Sequence, residues 1–92
     1  MKGVGQMNET VVAEVIKSEC KLYRVGDKIV VDGPLLNKGR SNNICVMALL
    51  SFYPFIYALR KGVTNKQMGF EEQVEVQCPD YCAPVVFALR KE

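Results

Sequence analysis

Four cysteines carry the most reactive side-chain chemistry in this sequence. They are Cys20, Cys45, Cys78 and Cys82, and they fall in three separate segments of a 92-residue chain. If the fold brings these segments together, four thiolates could hold zinc or an iron-sulfur cluster. The spacing is not that of a zinc knuckle, because Pro79 and two further residues separate the last two cysteines. Metal binding by the four cysteines is therefore one prediction, and chemically inert thiols are the other.

The sequence contains no histidine. This removes the usual general base, the usual partner of a nucleophilic cysteine or serine, and the commonest metal ligand. The carboxylates of Asp27 and Asp32 flank a strand and are typical of turns. Glu71 and Glu72 are adjacent in sequence, which does not direct both carboxyl groups onto one substrate. We predict no catalytic residue, and the residues that would bind a cofactor stay unassigned.

Cys45 is the cysteine whose position most favours reactivity. We expect it in the first turn of a helix, where free amide groups and the helix dipole favour a thiolate. A thiolate is both a nucleophile and a metal ligand, so a thiol-redox role is open as well. The alternative interpretation is structural, because free cysteine is among the most buried residue types. The same alternative applies to Cys78.

A long apolar segment positions Cys45. Residues 44–59 contain only two residues outside the hydrophobic class, Ser51 and Pro54. Three polar residues able to cap a helix precede it, Ser41, Asn42 and Asn43. Residues typical of a helix end follow it, Arg60, Lys61 and Gly62. The pattern predicts a helix over residues 43–61, bent or split at Pro54.

Strands are predicted on both sides of this helix. They cover residues 10–17, 28–31, 74–78 and 85–89, which alternate or are rich in β-branched types. Val74, Val76 and Cys78 share one face, which we expect to be buried. The order predicts an α+β fold with two β-hairpins flanking one central apolar helix (ββαββ). The helix would pack on a small, four-stranded antiparallel sheet.

The predicted helix is apolar around its whole circumference, whereas a sheet covers only one stripe of a helix. The remaining apolar side chains need cover from loops 34–41 and 62–72 or from a second copy of the chain. We favour a homodimer through the apolar helix, because cyclic dimers are the commonest oligomers. The alternative is a monomer whose loops supply Leu35, Leu36 and Phe70.

Composition sets the class of protein. With 49% hydrophobic and 24% charged residues, the chain is typical of a folded protein. Its length predicts a single domain over residues 10–92, after a flexible N-terminus at residues 1–9. The net charge is only +2 and the basic residues are dispersed, so we predict no nucleic-acid partner.

The apolar segment is shorter than the roughly 18 to 20 residues that cross a bilayer, and no secretory signal is visible. We therefore expect no membrane partner and a cytoplasmic location, where thiols stay reduced.

Several short motifs occur together in this chain. They are Val25-Gly26-Asp27, Val31-Asp32-Gly33-Pro34, Cys45 before the apolar segment, Tyr57-Ala58-Leu59-Arg60, Cys78-Pro79-Asp80 and Pro84-Val85-Val86-Phe87-Ala88-Leu89-Arg90. Over residues 10–91 the chain resembles an uncharacterised family of small prokaryotic proteins. The resemblance implies a bacterial or archaeal cytoplasmic protein and supplies no reaction. Family members often carry a Gly-His pair where this chain has Leu22, Tyr23 and Arg24, and Cys82 is an addition here.

The sequence thus predicts a small cytoplasmic binding or accessory domain without catalysis of its own. The alternative is a cysteine-centred function, either a zinc or iron-sulfur site or a redox thiol.

Overall fold

One helix packs on one face of a five-stranded antiparallel sheet in the computed structural model, which describes residues 9–80 and 82–92. The elements are β1 (Thr10–Ser18), β2 (Lys28–Asp32), β3 (Leu35–Leu36), α1 (Val46–Arg60), a 3-10 helix (Lys66–Met68), β4 (Val74–Gln77) and β5 (Val85–Lys91). The strand order is β3-β2-β1-β5-β4. The predicted α+β class is confirmed. Of the predicted flexible terminus at residues 1–9, residues 1–8 lie outside the described residues.

The central strand β1 holds the sheet together. It pairs antiparallel with β2 and with β5, so that Ala13 lies between Ile29 and Leu89. All three side chains are buried and belong to the core between sheet and helix. The period-two pattern of small and β-branched residues in β1 explains this placement, because alternate side chains of a strand share one face.

A fifth strand, β3, lies where the sequence predicted only a loop. Gly33 adopts a positive φ of 57°, and the chain then turns back so that Leu35 and Leu36 pair with Asp32 and Val31. Two residues are too few to give a periodic pattern. Four of the five strands in the described residues thus match strands predicted from the sequence.

The helix begins three residues later than predicted. Cys45 is its N-cap residue, and its side chain makes no capping hydrogen bond. The predicted capping residues Ser41 and Asn42 instead accept hydrogen bonds from the backbone of β2, at Val30 and Lys28. Polar side chains near both a helix start and a strand edge can accept hydrogen bonds from the free backbone amides of either element. Here they accept from the amides of the strand.

The helix ends as its sequence predicted. Gly62 has a φ of 93°, and the amides of Gly62 and Val63 donate to the carbonyls of Leu59 and Ala58. This is the Schellman arrangement, which satisfies carbonyls that a helix end would leave free. The helix runs without interruption through Pro54, so the predicted split does not occur.

Helix α1 has three sides with different surroundings. Its buried side consists of Ala48, Phe52, Ile56 and Leu59 and packs on the sheet, where the Phe52 and Phe87 rings lie 4.9 Å apart. A second side is covered by the loop before β4, through an edge-to-face contact of Phe55 with Phe70 at 5.7 Å. The third side is exposed. Within the described residues, no helix is long and apolar enough to span a membrane.

Candidate functional site

The four cysteines have four different surroundings, and all are free thiols. Cys78 is buried in the core at 6% exposure, on the face where the alternation of β4 predicted it. Cys20 and Cys45 are half-buried at the edge of the same core. Cys82 is exposed in the turn between β4 and β5, where its amide donates to Asp80 Oδ1 at 2.9 Å.

Tyr23 connects the turn that contains Cys20 to the start of α1. Its hydroxyl donates to the Asn43 carbonyl at 2.7 Å and accepts from the Cys45 amide at 2.9 Å. The hydroxyl of Ser18 holds the other end of this turn, because it accepts from the Cys20 amide and donates to the Tyr23 carbonyl. The Cys45 amide thus contacts the Tyr23 hydroxyl, and Ser18 connects Cys20 to the backbone of the same tyrosine.

The pKa of the Tyr23 hydroxyl reflects its burial beside the two cysteines. Burial raises the pKa of Tyr23, and the negative charge that Cys45 and Cys20 could carry acts in the same direction. The hydrogen bond from the Cys45 amide opposes the shift. We call Cys20, Tyr23 and Cys45 the thiol-phenol cluster.

The four cysteines do not form a visible metal site. Nowhere in residues 9–80 and 82–92 do three cysteine or carboxylate side chains lie close enough together to hold a metal ion. The reason lies in the two distal cysteines, since Cys78 is enclosed among core side chains while Cys82 is exposed in a turn. Cys20 and Cys45 both lie close enough to Tyr23 to affect its pKa. The predicted zinc or iron-sulfur site gains no support from this arrangement and stays a prediction.

The exposed side of α1 is the most unusual surface of the fold. We call it the α1 face, and it consists of Val46, Met47, Leu50, Tyr53 and Tyr57. Leu50 is 72% exposed and Val46 is 69% exposed. No charged residue occurs in the helix before Arg60. Contiguous apolar patches of this kind mark interaction sites, whereas single exposed apolar residues do not.

The C-terminal end of the α1 face is basic. The Arg60 guanidinium and the Lys61 ammonium lie over the Tyr57 ring, at 5.7 and 5.6 Å from its centroid. Arg60 also forms an ion pair with Glu9, and that hydrogen bond lowers the pKa of the Glu9 carboxyl. These contacts hold the Tyr57 ring and fix one end of the apolar surface.

The sequence predicted surplus apolar area on the helix without identifying the residues that form it. A signal was present in Ser51 and Pro54, the only two residues of the segment outside the hydrophobic class. Both are exposed in the helix. Proline lacks an amide and leaves the carbonyl four residues earlier, here that of Leu50, without its helical donor, so a solvent-facing position suits it.

Comparison with known proteins assigns neither a family nor a function to the chain. No protein family, curated protein or solved structure matches the chain. The resemblance to small prokaryotic proteins therefore stays a prediction, and function must be argued from the two surfaces described above.

Proposed function

We propose that this chain is a small cytoplasmic binding or accessory domain, without catalysis of its own, that acts as a homodimer through the α1 face. The observation that supports the proposal is the cluster of large apolar side chains on that face. A protein normally buries such residues, and the sheet and the loop before β4 already cover the other two sides of the helix. A second copy is the occupant that we infer.

The spacing of the α1 face suits a partner helix. Val46, Leu50, Tyr53 and Tyr57 are separated by four, three and four residues, which is the seam spacing of helices that pack side by side. The same seam on a second copy is complementary to it under two-fold symmetry, because each patch then faces an identical patch.

The exposed area also agrees with a dimer. If a large aromatic side chain offers about 150 to 250 Å² and an aliphatic one somewhat less, the exposed fractions give an apolar surface of roughly 500 Å² per copy. A stable dimer buries about 800 Å² per partner, so a polar rim must supply the remaining third or so. We therefore expect an interface at the smaller end of the range, with an affinity in the micromolar region.

Charge does not oppose the pairing. Between Val46 and Leu59 there is no ionisable group other than the two tyrosines. Burying residues 46–59 therefore leaves no carboxylate or ammonium without a partner, whereas Arg60 and Lys61 at the C-terminal end of the face must stay in contact with water at the rim. The tyrosine hydroxyls can reach water at the rim.

A matched pair of variants tests the proposal. Leu50→Lys places a charge in the middle of the α1 face, whereas Leu35→Lys places it on an equally exposed leucine of β3, at 70% against 72% exposure. Losing the buried leucine costs about 2 kcal/mol in each copy, so the dimer of Leu50→Lys should weaken by roughly three orders of magnitude. Sedimentation equilibrium across a range of concentrations measures the dissociation constant.

The two variants must behave differently. We expect Leu35→Lys to sediment as the unmodified protein does and Leu50→Lys to sediment at the monomer mass of 10.3 kDa. Equal self-association of both variants would show that the α1 face is not the interface. Circular dichroism of each variant confirms that the fold is retained.

The thiol-phenol cluster supports the second candidate, a thiol-based function. Cys20 and Cys45 both lie near Tyr23, whereas Cys82 is exposed in the turn before β5. If the cluster is reactive, an aromatic disulfide reagent will modify the half-buried Cys45 of the native protein faster than it modifies Cys82. Slower modification of Cys45 would exclude this function, and elemental analysis of protein purified without oxygen separately tests for zinc or iron.

A further inference from the structure

The two sides of the sheet differ in how their outer backbone groups are satisfied. On one side the two-residue strand β3 pairs only with Val31 and Asp32, and residues that follow β3 satisfy the rest of the outer side of β2, which we call the β2 edge. The Asn37 amide donates to the Val30 carbonyl at 2.8 Å, and Ser41 Oγ accepts from the Val30 amide at 2.8 Å. Asn42 completes the edge, because it exchanges two hydrogen bonds with the backbone of Lys28. This edge is therefore closed to further pairing.

The β4 edge is open. The Cys78 amide donates to the Val85 carbonyl at 2.9 Å, which fixes which residues of β4 face β5. Since antiparallel pairs alternate, Val74 and Val76 exchange hydrogen bonds with β5, and Glu75 and Gln77 direct their amides and carbonyls away from the sheet. Both residues are exposed. Among the described residues, neither backbone has a hydrogen-bond partner on that outer side.

Carboxylates surround this open edge. Glu71, Glu72, Gln73 and Glu75 line a surface groove of about 790 Å³. No ion pair in the described part of the chain involves its three glutamates, although Glu9, Glu14 and Glu92 are each paired with an arginine. The groove thus combines unpaired strand hydrogen-bonding groups with three carboxylates that form no ion pair within the described residues.

We propose that the β4 edge binds an extended, basic segment of another polypeptide as a sixth strand. The outward amides and carbonyls of Glu75 and Gln77 would form the ladder, and the glutamates would select lysine or arginine side chains. Charge complementarity identifies this occupant and disfavours a second copy at the same edge, because pairing two β4 strands would bring like charges together. The site is separate from the α1 face.

A synthetic peptide of alternating lysine and valine, with a fluorescent label and blocked ends, is the probe. Its fluorescence anisotropy at low salt should rise on titration with the protein, and the affinity should fall as salt is added. The matched control is the same peptide with N-methyl groups on alternate backbone nitrogens, which keeps its charge and removes the donors needed for a ladder. We expect at least tenfold weaker binding of that control.

Protein variants test the charge component. Replacing Glu71, Glu72 and Glu75 together by glutamine should weaken binding of the probe about tenfold at low salt. Glu19→Gln is the control, because Glu19 is exposed, lies outside the groove and takes no part in an ion pair of the described chain. We expect that variant to bind the probe as the unmodified protein does.

Amide hydrogen exchange tests the ladder itself. Addition of the probe should slow exchange at Glu75 and Gln77 and leave the closed β2 edge unchanged. Equal binding of the N-methylated peptide, or unchanged exchange at these two amides, would overturn the proposal. Absence of probe binding to the unmodified protein would also overturn it. If the triple glutamine variant then formed assemblies larger than those of the unmodified protein, the glutamates would only keep β4 edges apart.

Discussion

Removing the Tyr23 hydroxyl should loosen the connection between the Cys20 turn and the start of α1. In Tyr23→Phe the ring keeps its edge-to-face contact with Phe87, whose centroid lies 5.3 Å away. The two lost hydrogen bonds leave the Asn43 carbonyl and the Cys45 amide without their partner. The variant therefore isolates the hydroxyl from the packing of the ring.

The stability lost in this variant depends on how exposed these two hydrogen-bond partners are. A buried polar group that loses its partner lowers the free energy of unfolding by about 1 to 3 kcal/mol. Asn43 is exposed and Cys45 is half-buried, so water can replace the hydroxyl at the first group more readily than at the second. We expect Tyr23→Phe to lower the free energy of unfolding by about 1 to 2 kcal/mol.

Urea unfolding at a fixed protein concentration measures this change, because the stability of a dimer depends on concentration. The control is Tyr53→Phe, whose hydroxyl makes no hydrogen bond within the described residues, and we expect a change within about 0.5 kcal/mol. A similar loss in both variants, or a loss below about 0.5 kcal/mol in Tyr23→Phe, would refute the proposed role of the Tyr23 hydroxyl.

Three further predictions concern the core, the helix end and an ion pair. Phe52→Ala should lower the free energy of unfolding by about 3 to 5 kcal/mol in urea, because the ring is fully buried. Gly62→Ala should cost about 1 kcal/mol by the same measurement, since a Cβ there meets no atom within 4 Å and only the positive φ of 93° is strained. The hydrogen bond from Arg40 lowers the pKa of Glu92 from its ordinary 4.5, so its stabilising effect is present above pH 4.5 and is lost as the pH falls through the lowered value. Carboxyl titration by NMR should show this midpoint moving back toward 4.5 in Arg40→Gln.

The sequence was informative where side-chain periodicity reflects burial. Alternation placed Val11, Ala13 and Val15 on one buried face and Cys78 in the core, as the structure shows. Gly62 was recognised as the helix end because few residues other than glycine adopt its conformation without strain. These features depend on local conformation or on one face of one element, which a single sequence displays directly.

Features that depend on contacts between distant segments were missed. Ser41 and Asn42 do not cap α1 as expected, because the fold places both side chains against the backbone of β2. The function of Tyr23 was also missed, since nothing in the sequence shows that its hydroxyl reaches the backbone of Asn43 and Cys45. The open edge of β4 depends on strand order, and strand order cannot be derived from the pattern of one strand.

Isotope-filtered NMR on an equimolar mixture of labelled and unlabelled chains, at millimolar concentration, tests the homodimer most directly. If two copies pack through the α1 face, the methyl groups of Leu50 in one copy will show contacts with the Tyr53 ring of the other. Intermolecular contacts confined to other surfaces, or none at all, would contradict the account.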